Sequence, residues 1–295
     1  MPVNAAKARP GWTFWVAVLW LGFVAVSAVT AGWWAVPAFD SMDWDNPSAA
    51  PGTRVYNAVL QNADEADKAP YVYWLGTDTM GRDVTSRLIY GARVSLLVGL
   101  FAPVIGFVLG GTLGCLAGYF RGRLDSVIVA AMDVILAFPG IVLLLALTFY
   151  LGQSLRNLVV ALGFLTIPAF SRVARAKTLT LCDLEFVQAA RLTGASHFSI
   201  LAREIIPNVI APLTAYALLI VSFMIMAEGA LSFLGLGVPA PIPSWGGMIA
   251  EGREVLEEAP HISMISAAVM FLTVISFNLI GDNLRSLAEK RTSQL

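Results

Sequence analysis

The residues able to do chemistry in this 295-residue chain are few and scattered. Asp133 and Glu228 are the two acids inside long apolar stretches, where an ionised side chain is costly unless it is paired or faces water. Asp133 lies roughly two helical turns into its stretch, deep enough to need an arginine or a backbone donor. Glu228 stands near the end of its own stretch and is expected to reach the interface. A proton relay through this pair is the acid–base chemistry they would support. The two histidines, His197 and His261, are isolated from candidate partners and read as solvated or interfacial groups. No GxxxxGK[ST] loop exists to hold nucleotide phosphates, and HExxH and GxSxG are both absent. The two cysteines, Cys115 and Cys182, lack metal-ligand spacing and fall in an apolar stretch and at a loop, so a disulfide between them is not expected. The chain is therefore expected to be no enzyme and to bind no cofactor or metal itself.

The elements that must position these residues are membrane spans. Hydrophobic residues make up 57% of the chain, charged residues 13%, and the mean hydropathy is +0.73, more apolar surface than a 31.6 kDa globule can hide. The net charge of -1 leaves no basic patch able to collect phosphates, which sets nucleic acid aside as a partner. Apolar runs of about 20 residues, the length that crosses ~30 Å of hydrocarbon, read at 12–36, 94–119, 126–151, 158–170, 211–229 and 262–280. The fourth holds Pro168, and its end extends as far as Val173 on a looser reading. The fold class is all-α: a polytopic membrane protein with six transmembrane helices.

Charge sets the orientation. Of the 19 basic residues, Lys7, Arg9, Arg121, Arg123, Arg172, Arg175, Lys177, Arg191, Arg203, Arg285, Lys290 and Arg291 fall on one side of a six-span arrangement. That side is the cytoplasm, and both termini lie there. The acids Asp40, Asp43, Asp45, Asp64, Glu65, Asp67, Glu251, Glu254, Glu257 and Glu258 fall on the other side. The first span ends in Trp33 and Trp34, an interfacial pair, and is too long for a signal-peptide core, so it reads as an uncleaved anchor. The chain then divides into a cytoplasmic N-terminus with the first span (1–36), an extracytoplasmic segment (37–93) and a core of five spans with a short cytoplasmic tail (94–295).

Within the outer segment, Val84, Leu88 and Val94 recur near helical spacing while Arg82, Arg87 and Arg93 sit elsewhere, the pattern of an interfacial helix leading into the second span. The Gly- and Pro-rich stretch 232–261 suits either a structured loop at a pore mouth or ordinary turns. Gly106, Gly110, Gly114 and Gly118 recur at every fourth position, so they form a strip without side chains where another helix can approach. Pro139, in LAFPG, removes a backbone hydrogen bond and is expected to kink the third span, a device available to a gate and common in ordinary spans.

Between the fourth and fifth spans lies the polar stretch 184–207, LEFVQAARLTGASHFSILAREIIP. Asp183 is placed to cap a short helix that begins near Leu184 or Glu185, and Gly194 to end it in the left-handed conformation. Ser196 is placed to cap a second helix running to Ile206, where Pro207 ends it. Ala189 and Ala190 offer a face for close backbone approach, and Phe186, Val187, Leu192, Phe198 and Leu201 offer apolar anchors. Such short helices need something to pack against. They either dock a partner or pack on the ends of their own spans.

This stretch resembles the EAA loop of binding-protein-dependent ABC importer permeases, whose pattern is Glu-Ala-Ala, three residues, Gly, nine residues, then Ile-x-Leu-Pro. Ala189, Ala190, Gly194 and Pro207 keep that spacing, while Gln188 stands for Glu, Glu204 for Ile and Ile206 for Leu. Glu185, Arg191 and the IIPN ending are similar to the peptide and nickel permease subgroup. WLGTDTMGRDVTSRLIYGARVSL, RGRLD, MDVILAFPG and EGALSFLGLGVPAPIPSWGGMI look like the second, "C" type subunit of dipeptide and oligopeptide permeases, and the resemblance covers about residues 71–290.

The resemblance implies a type I importer permease fold in the bacterial or archaeal cytoplasmic (inner) membrane. The chain would be half of a translocation pathway shared with a "B" type permease. Two ATPase subunits would bind ATP and Mg, and an extracytoplasmic solute-binding protein would deliver a peptide. Glu185, Gln188, Ala189, Ala190, Arg191, Gly194 and Pro207 would form the ATPase-coupling loop, with Gly106, Gly110, Gly114 and Gly118 in helix packing and Asp133, Pro139 and Glu228 as candidates for gating or the pathway. Nickel chelates, glutathione and haem are alternative cargoes of the same machinery. An ion-coupled secondary transporter is the competing class, and it would work without an ATPase in the purified complex.

Overall fold

In a computed structural model of the chain, residues 11–58 and 69–292 are described. Lys7, Arg9, Asp64, Glu65 and Asp67, used above for orientation, lie outside the described residues, as do the side chains of Lys290 and Arg291.

Helix α1 (Trp12–Val29) carries no charged residue and packs on the last helix, α11 (Pro260–Thr292). Trp20 Nε1 donates to Thr273 Oγ1 at 3.1 Å across that contact. The second crossing is one continuous helical stretch, Val84–Phe120, built from α2 (Val84–Ile105), a single wide π turn (Gly106–Gly110) and α3 (Gly111–Phe120). Pro103 lies one turn before the π turn, where the missing N–H interrupts the regular ladder.

The third crossing is broken. Helices α4 (Gly122–Leu136) and α5 (Gly140–Leu151) meet at 84°. Pro139 does not kink one helix as the sequence suggested; it stands outside both, in an extended conformation at the N-cap of α5. Proline disfavours the helical conformation at the residue before it, and here the chain leaves the helix after Leu136 and re-enters one at Gly140. The far ends of this pair reach opposite faces of the bundle. Arg121, just before α4, pairs with Asp183, whereas Gln153, just after α5, donates to Gly235 O at 2.8 Å. Counted as one crossing, the pair brings the described residues from five candidate spans, α1, α2–α3, α6 (Leu155–Cys182), the stretch His197–Phe233 and α11, to six.

Span boundaries differ from the apolar runs because helices continue past the hydrocarbon. The fourth runs to Cys182 through Pro168, the fifth starts at His197, and the sixth extends to Thr292. The interfacial lead-in before the second span is not a separate element; α2 starts at Val84 and continues inward without a break. Asp83 caps it, accepting from Thr85 N at 3.2 Å and Ser86 N at 3.0 Å, a contact worth about 1 kcal/mol.

At the end of the bundle opposite the stretch 184–207, β1 (Thr53–Ala58) and β2 (Ala69–Tyr73) pair antiparallel, Val55 opposite Tyr71 and Thr53 opposite Tyr73. Alternating Val and Tyr residues supply one apolar face, and Val36, Val55, Ala58, Tyr71 and Tyr73 form a small core under this hairpin. The Gly- and Pro-rich stretch holds α10 (Trp245–Gly252), a short helix seated against α2, α9 (Ile206–Phe233) and α11.

Candidate coupling loop and buried polar clusters

The stretch after α6 folds as a helical hairpin at one end of the bundle. Helix α7 (Glu185–Leu192) carries an acid in its first turn and Arg191 in its last, which complements the helix dipole. Asp183 is not its cap: Leu184 occupies that position without a side-chain hydrogen bond, and the Asp183 carboxylate instead accepts from Arg121 Nη2 at 3.0 Å. The ion pair with the end of the second span takes the carboxylate that capping would have used. Gly194 adopts φ 81°, the left-handed conformation a glycine takes without steric cost, and the chain turns there. Ser196 accepts from Ser199 N at 3.3 Å and caps the next helix, α8 (His197–Ile200).

Pro207 does not end that helix. A π turn over Leu201–Ile205 joins α8 to α9, and the whole stretch His197–Phe233 is helical. The π turn absorbs the absent proline N–H, Pro207 falls in the first turn of α9 where its donor is not needed, and Asn208 Nδ2 occupies Glu204 O at 2.7 Å.

Apolar side chains of the hairpin divide into two sets. Val187, Leu201 and Ile205 are buried in a cluster with Cys115, Tyr119, Phe170 and Cys182, and Phe186 and Ala190 pack against it. Leu192 and Phe198 are 89% and 81% exposed. Glu185, Gln188, Ala189, Arg191, Gly194 and Pro207 are exposed as well. His197 is also exposed and meets Tyr119, whose hydroxyl is 2.9 Å from Nδ1. His261 is half-buried at the opposite end of the bundle, with Nε2 3.1 Å from Thr77 O. Both cysteines are free, buried thiols.

The glycine strip of α2–α3 lies against α6. A Cβ at Gly106 would overlap Thr166, one at Gly110 would overlap Ile167 O, and one at Gly114 would overlap Ser171 O. At Gly118 a Cβ would stand 2.8 Å from Arg175 O. Two side-chain pairs continue the α4–α6 contact: Asp133 accepts from Arg172 Nη2 at 2.7 Å, and Asp125 accepts from Arg175 Nε and Nη2 at 2.5 and 2.6 Å. Asp133 and Arg172 are both more than half exposed on the bundle surface.

Glu228 does not reach the interface. It is fully buried, accepting from the Ser232 and Ser244 hydroxyls, each at 2.7 Å, and from Ser95 Oγ at 3.4 Å. Helix α10 lies over it, so this carboxylate joins α2, α9 and α10. Asp133 is paired elsewhere, with Arg172, and does not adjoin it.

A second buried cluster lies where the sequence pattern is that of an interfacial helix leading into the second span. Arg82 and Arg87 are 2% and 1% exposed. Arg82 Nε donates to Asp78 Oδ2 at 2.7 Å and its Nη2 to Glu251 Oε2 at 2.9 Å, while Arg87 Nη2 reaches the same Glu251 oxygen at 2.8 Å. Arg87 Nε stands 3.2 Å from Asp78 Oδ2. The available signal was the four-residue spacing of Asp78 and Arg82; Glu251, far along the chain, carries no local sign of the contact. Nearby, burial holds the Asp83 carboxyl above its ordinary value of 3.8, against the opposing pull of the Ser86 and Thr85 amides.

An apolar cavity of about 460 Å³ opens between α5, α6 and α9, lined by Gly140, Leu144, Leu165, Phe223, Met226 and Ala230 among others.

Apolar crossings bundled with a helical hairpin at one end describe a polytopic helical membrane protein. Residues 110–294 match the family described as binding-protein-dependent transport system inner membrane component, and the chain belongs to that family. It is 42% identical over 213 residues to the glutathione transport system permease protein GsiD of Pectobacterium atrosepticum, covering 72% of this chain and 71% of that one. Identity is 37% over 270 residues to the GsiD protein of Escherichia coli O6:K15:H31, covering 91% and 83%. To the dipeptide transport system permease protein DppC of Alkalihalophilus pseudofirmus it is 40% over 213 residues, covering 72% and 70%. The fold is shared with the inward-facing MetNI methionine ABC transporter, TM-score 0.57 at 17% identity, over 68% of this chain and 96% of that one. The protein is a membrane-spanning permease subunit of an ABC importer.

Proposed function

We propose that this subunit imports a peptide across the cytoplasmic membrane of a bacterium or archaeon, with both termini in the cytoplasm, and that the hairpin 184–207 is its joint to a cytoplasmic ATPase. The single observation that carries the second part is the pairing of a fixed inner face with an uncovered outer one. Val187 is anchored in the bundle, and Leu192 and Phe198, 89% and 81% exposed, are left for a partner. In this reading Glu185, Gln188, Ala189, Ala190 and Arg191 enter a cleft of the ATPase, Gly194 makes the turn, and Pro207 stands in the first turn of α9, where the loop has already joined the fifth span. A stiff, seated element is what nucleotide-driven closure needs to change a membrane cavity.

ATP and Mg belong to two partner ATPase subunits. A "B" type permease supplies the other half of the pathway, and an extracytoplasmic binding protein delivers the solute. Kinship to both DppC and GsiD supports a peptide cargo, with glutathione the nearest alternative.

Gly194→Trp tests the joint. Reconstituted complexes carrying it should insert normally yet lose solute-stimulated ATP hydrolysis; normal coupling would refute the assignment. Cargo is tested by mass spectrometry of the ligand that co-purifies with the binding protein: a peptide supports the reading, and a nickel chelate or haem overturns it.

A further inference from the structure

We infer that Tyr119 is a positioning residue for the coupling loop, tying it to the inner end of the second crossing. The inference rests on the reading of 184–207 as the ATPase joint.

Three consecutive residues at the end of α3 take hold of the hairpin at three places. Tyr119, 6% exposed, sets its hydroxyl 2.9 Å from His197 Nδ1, at the start of α8. The Arg191 guanidinium, in the last turn of α7, lies 5.4 Å from the centre of the same tyrosine ring. Phe120 faces the His197 ring at 5.9 Å. Arg121 Nη2 donates to Asp183 at 3.0 Å, ahead of α7. The hairpin is thereby fastened before α7, at its end and after the Gly194 turn, all to one helix terminus.

The backbone at that terminus is an independent sign. Arg121 has φ 55° and ψ -164°, a conformation that is almost the preserve of glycine, and Gly122 follows at φ 61°. A glycine would relieve the strain, but a glycine has no guanidinium to reach Asp183. Helix α2–α3 continues from this brace to the outer cluster of Arg82, Arg87 and Glu251, so displacement of α7 is delivered to a rod that spans the bundle.

The test uses the assembled complex in liposomes, with binding protein and solute, and reads solute imported per ATP hydrolysed. Tyr119→Phe removes only the hydroxyl and keeps the ring. ATPase subunits should still co-purify, while the import-to-hydrolysis ratio falls by about three- to tenfold, the range open to one lost hydrogen bond. Arg121→Gly should lower that ratio too, yet keep or raise the melting temperature. A purely structural role would move both in one direction. Wild-type ratios in both variants would overturn the inference, as would loss of the ATPase from Tyr119→Phe complexes. Leu192→Asp checks the underlying reading separately: it should abolish ATPase co-purification, and if it does not, the joint itself is misplaced and the brace falls with it.

Discussion

Arg87 donates both to Oε1 and to Oε2 of Glu251, at 3.0 and 2.8 Å, from a position in the second crossing 164 residues earlier in the chain. Arg87 is 1% exposed, and its acid partner rides on the short helix α10. Glu251 is 35% exposed and Asp78 still stands 3.2 Å from Arg87, so losing Glu251 costs less than the ~3–5 kcal/mol of breaking an isolated, fully buried pair. Glu251→Ala is expected to lower the melting temperature in detergent clearly, and Glu251→Gln, which retains an acceptor, to lower it less. Adding Arg87→Met to Glu251→Ala should restore part of the loss. Equal melting of all variants would remove the cluster from any structural role.

The glycine strip gives the second prediction. A Cβ at Gly110 would meet the backbone carbonyl of Ile167 and Phe170 Cβ, neither of which can rotate away. Gly110→Val should destabilise the bundle by about 1–3 kcal/mol through overpacking, while Gly122→Ala, with open space around it, should be tolerated sterically and feel only its positive φ. Thermal unfolding of the two variants side by side checks the contrast.

Glu228 is satisfied by hydroxyls rather than by a cation. Glu228→Gln keeps an acceptor oxygen for Ser244 and Ser232 and should cost about 1 kcal/mol, whereas Glu228→Leu strands buried hydroxyls and should cost more. If leucine were as stable as glutamine, the carboxylate would not be what holds α10 over α9.

Asp133 forms a surface pair with Arg172, far from that buried glutamate's partners. Exposed pairs contribute about 0–1 kcal/mol. Asp133→Asn is therefore expected to leave the pH profile of transport unchanged and its rate within about twofold of the wild type. A shifted profile would revive a proton relay through Asp133.

Alkaline pH acts on the β1–β2 hairpin. Burial first, and then Asp83 for Tyr71 and Asp43 for Tyr73, hold both phenols above their ordinary value of 10.0. Because the folded values are the higher ones, their contribution to stability is intact below 10.0 and is lost as pH rises above it. Phenolate absorbance should show these two tyrosines silent until the hairpin detaches. The Tyr71→Phe, Tyr73→Phe double variant should leave the folded-state signal unchanged and shrink only the signal released on unfolding.

What was legible in the sequence was local. The Gly194 stop and the Ser196 cap follow from residue type and spacing within a few positions, and both are present. What was hidden depends on partners distant in the chain. Arg82 and Arg87 looked like the wet side of an amphipathic segment because Glu251 gave no sign of reaching them. Glu228 looked interfacial because the position of α10 above it follows from the fold of a Gly- and Pro-rich stretch. Asp183 was read as a cap because Arg121 competes for it from another span. Pro207 was read as a helix end because a π turn leaves no plain mark in a sequence.

The 84° break at Ala137–Pro139 limits what can stand beside it. The carbonyls that end α4 and the Gly140 and Ile141 amides that open α5 fall outside the regular ladder there, whereas Val142 N and Leu143 N both donate to Pro139 O; acyl chains offer no hydrogen bonds. Gly140 and Ile141, which open α5, also line the cavity shared with α6 and α9. At that break the chain presents backbone polar groups that hydrocarbon would leave unpaired. These backbone groups stand one turn from the exposed Asp133–Arg172 pair, so polar backbone and charged side chains share one flank of the subunit.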